Sequence, residues 1–122
     1  MTSIDPYLLN EYIEAHSTAQ DPVLNALYRE THLHVMNPRM ASGQVQGRFL
    51  QFICQMLRPK KVLEIGTFTG YSCICMARGI DAEARITTIE ANEEYEDIIR
   101  KYLGQAAVEE KVRLIIGDAK NV

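Results

Sequence analysis

The spacing of hydrophobic positions changes once along the chain, near residue 60. Before that point, apolar residues recur at the three- and four-residue intervals of amphipathic helices. Asp5-Pro6 pairs a capping acid with a proline in the first turn, which predicts a helix running to about His16. Asp21-Pro22 repeats this signal and predicts the start of a second helix.

The second and third predicted helices are each closed by a proline. Asn37-Pro38 and Arg58-Pro59 mark the two ends, because a residue before proline avoids the helical region. One face of the second helix should carry Leu24, Leu27, Tyr28, Thr31 and Val35. An apolar stripe should mark the third, with Val45, Phe49, Phe52, Ile53, Met56 and Leu57. Residues 1–58 are therefore predicted to form a helical N-terminal segment.

Beyond residue 59 the pattern predicts alternating strands and helices. Short apolar runs at 61–65, 85–90 and 112–116 are typical of buried parallel strands, and helical spacing returns at 71–80 and 95–106. The order strand, helix, strand, helix, strand predicts a βαβαβ unit with right-handed crossovers. We therefore expect one α/β domain over residues 1–122, with a parallel sheet in residues 59–122.

Composition narrows the classes of function. The 122 residues are 47% hydrophobic, and 13 dispersed basic residues with a net charge of −3 indicate no stripe built for a phosphate backbone. The sequence contains no apolar run of the roughly 18 residues needed to span a bilayer, and residues 1–7 do not resemble a secretory signal. The odd number of cysteines favours reduced, buried thiols. We expect a cytoplasmic protein that has no membrane partner.

Each predicted strand ends near an acidic residue, namely Glu64, Glu90 and Asp118. Ligands of open parallel sheets bind at the carboxyl ends of the strands. The same edge carries glycines, which allow a ligand to approach the backbone closely. These acids are therefore candidate ligand-binding residues.

The loop after the first strand does not fit a dinucleotide. That fingerprint needs glycine at three positions, which here hold Gly66, Phe68 and Tyr71. The loop also has no P-loop lysine. A nicotinamide-dinucleotide module is thus a disfavoured alternative, and titration with both cofactors would test it.

S-adenosylmethionine suits the acidic edge better. It has no phosphate, and it carries a sulfonium and an ammonium that carboxylates attract. Glu90 lies 20 residues after Gly70, where a carboxylate can accept hydrogen bonds from both ribose hydroxyls. Glu64 interrupts an apolar strand and needs a partner there. The residues therefore favour an S-adenosylmethionine site.

The motifs closely resemble those of the catechol and caffeoyl-CoA O-methyltransferase family. The resemblance rests on segments 62–72, 86–90 and 112–119, together with Met40-Ala41-Ser42 and residues 47–50, and it extends from about Leu24 to Ala119. It implies a Rossmann-like methyltransferase fold, a parallel sheet with helices on both faces, of which this chain has the N-terminal half.

The resemblance also implies roles for nine cofactor-binding residues. Met40 and Ser42 would pack against the methionine end of the cofactor, or they could merely anchor a loop. Glu64, Gly66, Thr67 and Ser72 would line that end, with Ser72 bonding the carboxylate, although Thr67 could be a simple turn residue. Glu90 would hold the ribose, and Asp118 and Ala119 would border the adenine.

By the same resemblance, the complete protein would transfer a methyl group to a hydroxyl of a catechol-like or phenolic small molecule. A divalent metal, usually Mg²⁺, would activate that hydroxyl as a Lewis acid. The family's metal ligands and catalytic lysine lie on later strands, so we assign no catalytic or metal residue here and expect a truncated, inactive chain. Asp118 and Asn121 do not make a convincing metal pair.

Two alternatives stay open for the function, a tRNA hydroxyuridine methyltransferase of the same family and a non-catalytic S-adenosylmethionine-binding fragment or partner subunit. We also expect a homodimer. In the family topology, the second and third strands lie on one side of the first. The first strand should therefore be an exposed edge here, which is a hazard for aggregation.

Overall fold

The computed structural model describes residues 3–122. Residues 1 and 2, which belong to the segment 1–7 that does not resemble a secretory signal, lie outside the described residues. The described chain forms one mixed helical and parallel-strand unit. Its helices are α1 (Pro6–Ala15), α2 (Pro22–His34), α3 (Gln44–Leu57), α4 (Tyr71–Gly79) and α5 (Glu96–Gln105). Its strands are β1 (Lys61–Ile65), β2 (Arg85–Glu90) and β3 (Val112–Ile116). The predicted order of elements is confirmed.

The first two helices begin as the capping signals predict. The Asp5 carboxylate accepts the N–H of Tyr7 at 2.9 Å, and the Asp21 carboxylate accepts two N–H groups of the first turn of α2. α2 ends at His34, three residues before the predicted Asn37. Val35 is already extended, and Asn37 is left-handed with φ 55°, which turns the chain into the short 3₁₀ turn Pro38–Met40.

The three strands form a parallel sheet in the order β1-β2-β3. This order confirms the expectation that β1 lies at an edge within residues 3–122. In the register, Val62 pairs with Ile86 and Glu64 pairs with Thr88. Because paired residues of adjacent strands point to the same face, Glu64 and Thr88 emerge side by side.

The hydrophobic core lies on one face of the sheet. Ile86 is fully buried there and packs with side chains of α2, α4 and α5, among them Leu27, Ile74 and Ile99. On the opposite face Leu63 and Ile65 are 64% and 69% exposed. A right-handed crossover from β1 to β2, followed by another to β3, puts α4 and α5 on the same face, which accounts for this asymmetry.

α3 packs through its small residues and not through its apolar stripe. Gly47 and Cys54 are the buried residues of this helix, whereas Phe49 and Phe52 are 61% and 55% exposed. A Cβ at Gly79 would lie 2.5 Å from the Gln51 carbonyl oxygen, so α3 and α4 approach backbone to backbone. The predicted helix is confirmed, but its buried face was not apparent from hydrophobicity.

Two expectations from composition can be compared with the structure. The three cysteines are free thiols and all are buried, as expected. Within residues 3–122, no helix is both long enough and apolar enough to cross a membrane.

Candidate functional site

The loop between β1 and α4 is held against the end of β2 by backbone hydrogen bonds. The N–H groups of Gly66 and Thr67 both donate to the Ile89 carbonyl, at 2.8 and 3.3 Å. Gly66 and Gly70 have φ values of 91° and 99°, a region that strongly favours glycine. Phe68 also has a positive φ, 53°, which is uncommon for an aromatic residue. The loop is thus a constrained turn with its backbone facing the strand ends.

Glu90 is the acid that fastens this loop. Its carboxylate accepts the Phe68 N–H at 2.7 Å and the Asn92 N–H at 3.0 Å, one on each oxygen. The residue is only 8% exposed. Since a carboxylate oxygen has two lone pairs, each oxygen can still accept one further hydrogen bond. Glu90 therefore has a structural task in addition to any contact with a ligand.

Glu64 lies on β1 near Glu90 and is held by side-chain hydroxyls. Ser72 donates to one carboxylate oxygen at 2.6 Å, and Thr88 donates to the other at 2.7 Å. Burial raises the pKa of Glu64 above its ordinary value, the two hydroxyl bonds oppose that rise, and the nearby Glu90 charge adds to it. A cation entering beside Glu64 would relieve this cost.

Two adjoining clefts open at the strand ends. The loop cleft, of about 370 Å³, is lined by six of the nine predicted residues: Met40, Ser42, Glu64, Gly66, Thr67 and Ser72. The strand-end cleft, of about 500 Å³, is lined by the other three, Glu90, Asp118 and Ala119, and again by Gly66. The clefts share Ile65 and Gly66. The structure thus brings all nine predicted residues to one continuous edge.

The predicted residues differ in how firmly they are held. Met40 lies in the 3₁₀ turn after α2 and is 66% exposed, whereas Thr67 is 2% exposed. Thr67 shares a 2.5 Å hydrogen bond with Thr88, so it is more than a turn residue. Asp118 accepts the Lys120 N–H at 2.9 Å and caps the last 3₁₀ turn.

Sequence reasoning missed several residues of the site. Phe68 supplies a backbone N–H to Glu90, and Thr88 supplies a hydroxyl to Glu64. Gln46 and Met76 also line the loop cleft, as does Leu50 of the segment 47–50. Counting strand positions could have found Thr88, because it follows Ile86 by two residues on the face that carries Glu64. No comparable signal identifies Gln46 or Met76.

The N-terminal helices also support the loop. The hydroxyl of the fully buried Thr31 of α2 donates to the Leu27 carbonyl at 2.8 Å and shares a 3.0 Å hydrogen bond with the Thr69 hydroxyl. Tyr71 is buried and accepts a hydrogen bond from Gln20, and burial is the main reason that the pKa of its hydroxyl is raised. Tyr71 therefore packs between elements as well as bordering the loop cleft.

The residues described here do not fit a resident metal ion. Among residues 3–122, no group of three or more His, Cys, Asp or Glu side chains is placed to hold one. No chemical step through a metal can be assigned to this part of the chain.

Comparison with known proteins agrees with the geometry. A sequence model of the O-methyltransferase family matches residues 14–122. Catechol O-methyltransferase B of Danio rerio is 33% identical over 98% of this chain and 45% of its own length. The O-methyltransferase of Bacillus cereus, solved in complex with SAH, has a TM-score of 0.86 and 30% identity over 93% of this chain and 51% of its own. The O-methyltransferase TomG of Streptomyces achromogenes, solved in complex with SAM, has a TM-score of 0.86 and 27% identity over 93% of this chain and 51% of its own.

The chain thus spans about half the length of the relatives it matches. The parallel sheet and its preceding helices correspond to the Rossmann-like methyltransferase fold. Because the family match covers most of the chain, this protein belongs to the O-methyltransferase family.

Proposed function

We propose that the edge formed by the loop cleft and the strand-end cleft binds S-adenosylmethionine, as the cofactor half of an O-methyltransferase. One observation carries this proposal: two carboxylates, Glu64 and Glu90, line adjoining clefts that meet at Gly66. An elongated ligand with a cationic amino acid at one end and a ribose in the middle matches this spacing of acids. A pyrophosphate would be repelled by the same two charges.

Glu64 would receive the ammonium of the cofactor. Its two side-chain partners, Ser72 and Thr88, are neutral hydroxyls, so its negative charge is not neutralised by them. An ammonium ion beside a desolvated carboxylate stabilises the charged form and lowers the pKa that burial has raised. The raised pKa of Glu64 in the ligand-free protein thus supports a cation-binding role for this residue.

The methionine carboxylate would lie near the first turn of α4. Free N–H groups at a helix N-terminus and the positive end of the helix dipole favour an anion. The Ser72 proton is used on Glu64, so the hydroxyl would have to rotate to serve that carboxylate instead. Ser72 can therefore contact either group of the cofactor's amino-acid end, but it has one proton to donate.

Glu90 would accept the ribose hydroxyls with the lone pairs that its two backbone bonds leave free. Gly66 separates the two clefts, and a Cβ built there would meet nothing within 4 Å. A side chain at this position would project into the space that the ligand needs. Asp118 and Ala119 would border the adenine.

When bound, the cofactor supplies a methyl group on a positively charged sulfur. The described residues bind and orient that cofactor, and holding the methyl in line with an incoming oxygen is the main source of rate for such a displacement. For the complete protein we propose a hydroxyl of a catechol-like or phenolic small molecule as acceptor, with a divalent metal. The resemblance to catechol O-methyltransferases supports this acceptor. The cytoplasmic location and the homodimer stay predictions.

Isothermal titration calorimetry of the purified chain with S-adenosylhomocysteine tests the cofactor assignment, with NAD as the matched nucleotide that carries a pyrophosphate. We expect saturable one-to-one binding of S-adenosylhomocysteine and none of NAD. Binding of NAD, or no binding of S-adenosylhomocysteine by folded protein, would contradict the proposal.

A further inference from the structure

Thr88 lies next to Glu64 but is inaccessible to any ligand. The parallel register pairs the two residues, and the Thr88 side chain is 0% exposed. A threonine in the middle of a buried strand face carries a hydroxyl that must find partners, because an unbonded buried hydroxyl is costly. Both partners of this hydroxyl belong to the loop cleft.

The hydrogen bonds of Thr88 form a chain with a defined direction. Its hydroxyl donates to Glu64 at 2.7 Å and lies 2.5 Å from the hydroxyl of Thr67. Ionised Glu64 can only accept, and a hydroxyl has one proton. Thr67 is therefore the donor to Thr88, and Thr88 is the donor to Glu64.

The hydrogen bonds that run from Thr67 through Thr88 hold one oxygen of the Glu64 carboxylate, and Ser72 holds the other at 2.6 Å. With both oxygens tied, the rotation of the carboxylate about its last bond is restricted. The lone pairs left on the two oxygens can accept a ligand's N–H groups. Pre-organisation of this kind lowers the entropy cost of binding.

We propose that Thr88 is a positioning residue that, through Glu64, selects ligands carrying an amino group at the methionine end of the cleft. This inference rests on the proposed function, because it assumes that Glu64 receives the cofactor's ammonium. Thr88 itself makes no contact with the ligand. Its effect should therefore appear only for ligands that have the amino-acid group.

The test compares two ligands by calorimetry. S-adenosylhomocysteine carries the amino acid, and 5′-methylthioadenosine has the same nucleoside and a thioether without it. In Thr88→Val, which keeps the shape of the side chain, we expect S-adenosylhomocysteine to bind about tenfold more weakly, as for loss of a hydrogen bond to a charged group. The affinity for 5′-methylthioadenosine should change by less than about twofold. Thr88→Ser should restore most of the affinity for S-adenosylhomocysteine.

Thr88→Val leaves the buried Thr67 hydroxyl without its acceptor and could unfold the chain for that reason. The double variant Thr67→Val with Thr88→Val removes both hydroxyls and provides the second measurement. It should show the same ligand-dependent loss as the single variant.

An equal loss of affinity for both ligands would mean a general structural role and would overturn the inference. So would unchanged S-adenosylhomocysteine binding in the valine variants, with the wild-type protein binding normally. If the folded wild-type protein does not bind S-adenosylhomocysteine, the proposed function fails and this inference with it.

Discussion

Replacing Glu90 with alanine should destabilise this protein before any ligand is added. The carboxylate accepts the N–H of Phe68 at 2.7 Å and that of Asn92 at 3.0 Å. Phe68 itself is 7% exposed and has a positive φ, so its N–H has little access to water once the carboxylate is gone. Glu90→Ala therefore removes the side-chain attachment of the loop to β2 and leaves only the backbone bonds from Gly66 and Thr67 to Ile89.

The magnitude follows from these two bonds. A hydrogen bond to a charged group contributes about 1.5–3 kcal/mol, and the half-buried Asn92 N–H can recover part of its share from water. Removing a buried carboxylate also releases its desolvation cost. We expect a net loss of about 2–4 kcal/mol in the free energy of unfolding, which for a domain of this size lowers Tm by roughly 10 °C.

Thermal and urea unfolding followed by circular dichroism, without ligand, measure this loss. Glu93→Ala is the matched control, because it removes the same charge from an exposed position three residues away and should change stability by less than about 0.5 kcal/mol. Equal stability of Glu90→Ala and Glu93→Ala would refute the structural role of Glu90. S-adenosylhomocysteine titration of Glu90→Ala then has to be done below its own Tm, so that lost binding is not confused with unfolding.

Three further outcomes test other parts of the structure. Because burial raises the pKa of Glu64, the contribution of this residue to stability is present at low pH and is lost as the pH rises through that pKa. Glu64→Gln should therefore gain stability relative to wild type between pH 4 and pH 8. Parallel pH profiles of the two proteins in urea unfolding would contradict this. Gly79→Ala should lower the free energy of unfolding by about 1–3 kcal/mol, since its Cβ would lie 2.5 Å from the Gln51 carbonyl oxygen. The control Gly43→Ala should be near neutral, because a Cβ there meets nothing within 4 Å. Similar urea midpoints for the two variants would show that α3 and α4 can move apart. A thiol reagent at pH 8 should react slowly with Cys54, Cys73 and Cys75 in the folded protein and fully in denaturant, because burial raises the pKa of each thiol. Fast reaction of the folded protein would show that these thiols are not buried.

Local sequence determined the order and type of the elements. Capping acids before prolines set the starts of α1 and α2, and the change to short apolar runs set the three strands. The acids at the ends of the first two strands were visible for the same reason, because strand ends of a parallel sheet meet at one edge. These features depend on spacing within about twenty residues, which the sequence displays directly.

The face of α2 predicted from spacing is buried at Leu24, Leu27 and Thr31, but tertiary structure alone decided which face of α3 is buried and which partners Glu64 and Glu90 have. The apolar stripe of α3 predicted the helix but not its packing, because close approach to α4 favours Gly47 and Gly79 over bulky side chains. The partners of Glu90 and Glu64 come from a loop with unusual φ values and from the register between β1 and β2. Such contacts join residues far apart in the chain, as Thr31 and Thr69 do across 38 positions. They depend on how helices and strands are set against each other, and local spacing carries no record of that arrangement.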